Sequence, residues 1–159
     1  MQYKLRDFVP LIVIFALIFI FTFLRQLSTG FHMIGAMRDF MGSFFLVFGA
    51  FKVINLRGFV TAYQTYDLLA KRVVLYAYLY PFLELLLGVS YFAGWNSFVT
   101  NVATFGLMSF SALGVFNELR QGKEFMCACL GVVFKIPMTY VTLLEDLLMA
   151  VMALIMLWI

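Results

Sequence analysis

Residues 35–52 read GAMRDFMGSFFLVFGAFK. Gly35, Arg38, Gly42, Phe45, Gly49 and Lys52 recur at steps of three, four, three, four and three. On an α-helix of ~3.6 residues per turn, those positions share one face. The face is small in its middle and cationic at both ends. Lipid tails are as apolar as leucine, so helices in a bilayer associate by close packing, which small residues permit. The residues between the stripe positions are mostly Phe, Met, Leu, Val and Ala, which suit lipid. The stretch reads as a membrane helix with one face turned into a bundle.

Composition extends that reading to the whole chain. Of 159 residues, 65% are hydrophobic and 12% are charged, where soluble domains carry about 25% charged residues. Mean hydropathy is +1.02. Such a chain has no water-compatible surface, which excludes a soluble enzyme. Runs long enough to span the bilayer, about 17–25 residues, lie at 8–24, 40–56, 73–92, 98–116 and 137–159. The expected fold is all-α and polytopic: five transmembrane helices in one membrane domain, residues 1–159. The first run is longer than the apolar core of a signal peptide, ~7–15 residues, and no small-x-small cleavage site follows, so it is expected to be retained.

Orientation follows from Lys and Arg in the short loops. Lys4, Arg6, Arg57, Lys71, Arg72, Arg120, Lys123 and Lys135 fall on one side, eight residues against Arg25 and Arg38 on the other. The N-terminus and the loop before the last helix are therefore expected in the cytoplasm, in the inner membrane of a bacterium. The net charge of +3 reports topology and carries no nucleic-acid signal.

The other spans have stripes too, the first excepted. They are Ala77, Pro81, Glu84, Gly88 and Tyr91; Thr100, Thr104, Leu107, Ser111, Gly114 and Glu118; and Met138, Thr142, Glu145, Met149, Met152 and Met156. Polar residues in lipid are costly and face the bundle, so spans two to five should form a four-helix core with the first outside it. At ~1.5 Å per residue, Glu84 lies roughly 16 Å, Glu145 roughly 12 Å and Lys52 about 6 Å from the cytoplasmic side. The intramembrane polar set is Arg38, Lys52, Glu84, Glu145 and Asp146. Lys52 can reach Glu84 or Glu145 along its flexible stem. Such a pair either fixes helix register or handles protons or ions. Residues 58–70 place Phe59, Tyr63, Tyr66 and Ala70 at helical spacing, as in a helix lying at the interface, where tyrosines anchor.

Both cysteines, Cys127 and Cys129, stand in FMCACLG at 125–131, before the last span. In a reducing compartment a permanent disulfide is not expected. Redox cycling and metal binding are the chemical options. A Cys-x-Cys ring is small, and a strained disulfide is easier to reduce; Lys123 and Lys135 favour the thiolate. The same thiolates, with Met126 and Met138, could hold a soft ion such as Cu(I). The bland alternative is that the cysteines pack as small apolar residues. Methionines at 149, 152 and 156, and at 33, 37 and 41 beside His32, would suit a Cu(I) route or ordinary gap-filling. No Ser-His-Asp set, phosphate loop or Cys-x-x-Cys occurs, so conventional hydrolytic or zinc catalysis lacks its parts.

From Arg38 to the last residue, the chain resembles the MauE/DoxX-like family of small redox-associated membrane proteins. RDFMGSFFLVFGAFKVINLRGF, YDLLAKR, YPFLELLLG, CACLG and PMTYVTLLEDLLM carry the likeness. The resemblance implies a DoxX-like four-helix membrane bundle and a Cys-x-Cys-x-Gly element, here Cys127, Cys129 and Gly131. It also implies an association with disulfide formation in a methylamine dehydrogenase subunit or with membrane oxidoreductase complexes. Two features depart from the pattern. One is the extra first helix; the other is Glu145–Asp146 where a basic–asparagine pair is usual, which points toward a subgroup associated with heavy metals.

Three functions follow as expectations. The first is a thiol–disulfide redox component using Cys127 and Cys129, with a thiol-redox protein partner and a quinone as candidate cofactor. The second is a soft-metal binder or transporter using Cys127, Cys129, Met126 and Met138, with a metal-carrier partner. The third is a scaffold subunit of an oxidoreductase complex. A carrier and an oxidoreductase can share the same thiols, so enzyme status stays open.

Overall fold

The computed structural model describes residues 9–121 and 140–159. These form six helices: α1 (Val9–Thr29), α2 (Met33–Ile54), α3 (Leu56–Tyr63), α4 (Val74–Ala93), α5 (Ser97–Arg120) and α6 (Tyr140–Trp158). No strand occurs among the described residues. Helices α1, α2, α4 and α5 are each long and apolar enough to cross a membrane. The chain is a membrane protein, with apolar helix faces turned to lipid. Leu17 and Phe23 on α1, Leu86 on α4 and Leu113 on α5 are among the exposed side chains.

Two tight helix pairs organise the core: α2 against α4, and α5 against α6. Contacts of α4 with α5 and of α2 with α6 join the pairs. The stripes explain why. Gly42, Phe45, Gly49 and Lys52 are buried on α2, as are Ala77, Pro81, Glu84, Gly88 and Tyr91 on α4. On α5, Thr100, Thr104, Ser111, Gly114 and Glu118 are buried, and on α6, Thr142, Glu145 and Met149. Pro81 sits inside α4. Short hinges are written into the sequence: Gly94 closes α4 at φ 65°, where a side chain is strained. Two residues on, the Asn96 side chain accepts from the Val99 N–H at 3.3 Å and opens α5.

The first helix packs outside the two pairs, through one face. Leu11, Ile18, Thr22 and Gln26 are buried on it. Its partner is α2, and the seam is aromatic: Phe15 lies 5.9 Å from Phe44 and 5.8 Å from Phe48, and Phe19 lies 4.9 Å from Phe40. A single Gln and Thr are too few polar residues to show as a stripe in a run this apolar.

The helix expected over 58–70 starts two residues earlier and is shorter. It closes at Tyr63, and the next residues turn inward. Asp67, fully buried, accepts hydrogen bonds from the Leu69 and Ala70 N–H groups at 2.9 and 2.8 Å. A carboxylate that satisfies backbone donors two and three residues on makes a turn and competes with the helix. The turn rests on α5 at Gly114, where an added Cβ would come within 3.2 Å of the Tyr66 carbonyl. Phe59, Tyr63 and Tyr66 are buried.

Candidate functional site

The polar centre of the bundle begins with Lys52 in the last turn of α2. Its Nζ donates to both oxygens of Glu84, at 2.5 and 2.6 Å. Lys52 and Glu84 are both buried, so this is a two-pronged, charge-assisted contact away from water. The ammonium also lies 5.0 Å from the Tyr80 ring centre and 5.6 Å from that of Phe59. Aromatic faces are negative and add to a cation's stabilisation. Of the two partners open to Lys52 on sequence grounds, the bundle uses Glu84.

Further polar contacts lie across the core. Tyr80, one turn earlier on α4, is buried beside the pair. Ser111 Oγ donates to Asp146 Oδ2 of α6 at 2.8 Å. Lys52–Glu84 thus ties α2 to α4, and Ser111–Asp146 ties α5 to α6. Glu145, next to Asp146, turns elsewhere. It is buried and lines a gap between α6 and α1, and its Oε1 has no hydrogen-bond partner.

Two further polar layers bracket this centre. Lys71 pairs with the buried Glu118 near the end of α5. At the opposite end, Gln26 Nε2 donates to Asp39 Oδ2 at 3.0 Å, and Arg25 Nε lies 3.4 Å from the same oxygen. Gln26 Oε1 also accepts from the His32 N–H at 3.1 Å, which holds the α1–α2 turn. Arg38, half-buried, lines a cleft with Gly94, Trp95 and Met156. A fourth contact set joins Tyr91 Oη to Asn101 Oδ1 (2.8 Å) and Thr104 Oγ1 (3.0 Å).

The bundle therefore brings together Lys52, Glu84 and Asp146 of the expected polar set. Arg38 and Glu145 stand apart from those contacts. Cys127, Cys129, Met126 and Met138 lie outside the described residues. Sequence reasoning missed Tyr80, Asp39, Gln26, Asp67 and Asn101. Tyr80 could have been found, because it precedes Glu84 by four residues and shares its face. Among the methionines, Met149 is fully buried in the core and Met152 and Met156 pack against it, as gap-fillers do.

The bridging layers differ in exposure, which yields a measurable contrast. Lys71 is 36% exposed at its side chain and Lys52 is 8% exposed. Water and salt screen the exposed end. Replacing Lys71 by Gln should lower the unfolding midpoint in detergent by less than Lys52→Met does, and added salt should narrow the Lys71 effect further. Equal, salt-independent losses would contradict this.

With the helices in place, their relatives can be compared. The sequence model of one family, described as methylamine utilisation protein MauE, matches residues 30–159. The chain belongs to the MauE family. The match takes in α2 to α6 and the segment carrying Cys127 and Cys129, and it leaves α1 outside apart from its connection to α2. The family ties this membrane protein to methylamine utilisation and its redox setting. No curated protein and no solved structure matches the chain.

Proposed function

We propose that this MauE-family chain is a thiol–disulfide redox component of the membrane, with Cys127 and Cys129 as the cycling pair. The observation that carries the reading is the family match, which spans the Cys-x-Cys element together with the helices on either side of it. In the cycle, a thiolate of a partner protein attacks the Cys127–Cys129 disulfide, and the partner's second thiolate resolves the mixed disulfide. The partner loses two S–H bonds and gains an S–S bond, and Cys127 and Cys129 are left as a dithiol. The Lys52–Glu84 pair holds α2 to α4, and the Ser111–Asp146 bond holds α5, which precedes the thiol segment in sequence, to α6, which follows it.

The topology that goes with this reading has five spans in a DoxX-like bundle. Helix α6, at 19 residues, measures about 28 Å at ~1.5 Å per residue, close to the ~30 Å hydrocarbon core. The excess of Lys and Arg puts the N-terminus and the thiol loop in the cytoplasm of a bacterial cell, with the protein in its inner membrane.

Alkylation trapping after mild oxidation tests the redox reading. Both thiols should become protected together, and dithiothreitol should restore them. Cys127→Ser and Cys129→Ser should each abolish the reversible change. A pair that stays reduced across the cellular potential range would end the proposal. A membrane-impermeant thiol reagent, applied from outside intact cells, checks orientation: it should leave Cys127 unlabelled.

The second reading keeps the same residues. Cys127 and Cys129 flanked by Met126 and Met138 form a soft-donor set. Under reducing conditions it predicts tight Cu(I) binding that vanishes in the double serine variant. Activity of an associated complex that survives removal of both cysteines would instead favour a scaffold role.

A further inference from the structure

We infer that the end of the bundle where α4 begins and α5 finishes binds an anionic phospholipid, with its phosphate on Arg72 and Arg120 and its acyl chains along α4 and α5. Among the described residues, the exposed lysines and arginines are Arg57, Lys71, Arg72 and Arg120. Three of these meet at this end. Lys71 pairs with Glu118. Arg72 is its neighbour in sequence, and Arg120 closes α5 two residues after Glu118. The ion pair therefore fixes both arginines at one end of the bundle. Neither arginine pairs with a carboxylate among the described residues. Both guanidinium forks are left for an oxyanion from outside the chain, and phosphate matches that fork with two parallel hydrogen bonds.

Each arginine stands where a lipid-facing stripe stops. On α4, Leu75, Leu79, Phe82 and Leu86 are exposed at steps of four, three and four, hence on one face. Arg72 precedes Leu75 by three residues. On α5, Leu113 and Phe116 are exposed, and Arg120 follows Phe116 by four residues on the same face. Side chains of this kind lie against acyl chains, and a long cationic side chain at the end of such a face reaches the headgroup level. The ligand that fits carries an anion and long apolar chains in one molecule.

The acids select the net charge of that lipid. Asp39, Asp67, Glu84, Glu118 and Glu145 are buried and Asp146 is half-buried, so no carboxylate is exposed among the described residues. A zwitterionic headgroup would bring its ammonium to a face that offers only cations. A headgroup with a phosphate and no cation, as in phosphatidylglycerol, meets no such repulsion. The inference stands on these charges and faces and does not require the thiols to cycle.

The test is native mass spectrometry of the full-length protein, released from detergent micelles after titration with phosphatidylglycerol or phosphatidylcholine. Phosphatidylglycerol should stay bound at about tenfold lower lipid concentration than phosphatidylcholine, and added salt should narrow that gap. Arg72→Gln with Arg120→Gln should weaken phosphatidylglycerol binding about tenfold and leave phosphatidylcholine binding as it was. Arg72→Lys with Arg120→Lys, which keeps the charge, should retain most of the preference. Circular dichroism checks that each variant is folded. Equal retention of the two lipids by the starting protein overturns the inference, and so does unchanged phosphatidylglycerol binding in the folded glutamine variant. Displacement of phosphatidylglycerol by an equal concentration of inorganic phosphate would assign the arginines to a free anion and overturn it as well. Equal retention of the two lipids together with tight binding of polyglutamate would give the face to an acidic protein instead.

Discussion

Replacing Lys52 by Met should destabilise the bundle by about 3–5 kcal/mol, because Glu84 is then left as a buried charge without its cation. Both carboxylate oxygens bond to Lys52 Nζ, at 2.5 and 2.6 Å, and Glu84 is 1% exposed. Water cannot replace the ammonium at that depth. Glu84→Gln alone should cost less, since it removes a charge and keeps one acceptor for Lys52. The double variant Lys52→Met, Glu84→Gln should recover most of the loss, because replacing both members of a buried pair is often near neutral. Thermal unfolding of all four proteins in one detergent closes the double-mutant cycle. A Lys52→Met midpoint equal to the starting protein's would mean that the pair holds nothing. The cycle also separates two roles of the pair. If the double variant regains stability and its thiols still cycle, Lys52 and Glu84 serve the fold alone. If stability returns and redox activity does not, the charge itself belongs to the function.

Much of this centre was legible before any coordinate. Lys52, Glu84 and Asp146 are charges in lipid-length runs, and a charge there must find a partner. The three- and four-residue steps named the faces that α2, α4, α5 and α6 bury. What periodicity could not supply was the pairing across helices. Lys52 had two acids within reach, and only the tight approach of α2 to α4 decides for Glu84. Asp39 escaped notice because it sits one residue from Arg38 and off the stripe, on the face that meets α1. The length of α3 was misjudged for a local reason: the 58–70 spacing suits a helix, but Asp67 bonds the backbone ahead of it and forces a turn. Glu145 and Asp146 looked interchangeable in sequence. Adjacent helical residues point about 100° apart, so one meets Ser111 and the other lines the gap beside α1.

Gly88→Val should be about as damaging as loss of the Lys52 cation, and for a steric reason. The α2–α4 pair is held close by glycines that each lie under a large residue of the other helix: Gly42 by Phe92, Gly49 by Leu85, Gly88 by Leu46. A Cβ added at Gly88 would stand 2.8 Å from Leu46 Cγ and 3.0 Å from the Leu46 backbone nitrogen. The side-chain clash can be relieved by moving Leu46, but the backbone clash requires the helices to part. Overpacking of this kind costs about 1–3 kcal/mol. Here separation would also lengthen the Lys52–Glu84 contact one turn away, so the loss should reach the upper end of that range or exceed it. Gly88→Ala should cost less, and Leu46→Ala should rescue it only in part, because the nitrogen remains. Full rescue by Leu46→Ala would show that the side chain alone sets the helix spacing. A Gly88→Val protein with an unchanged midpoint and unchanged thiol cycling would show that α2 and α4 do not pack on their glycines, and the ion pair would then have to hold them by itself.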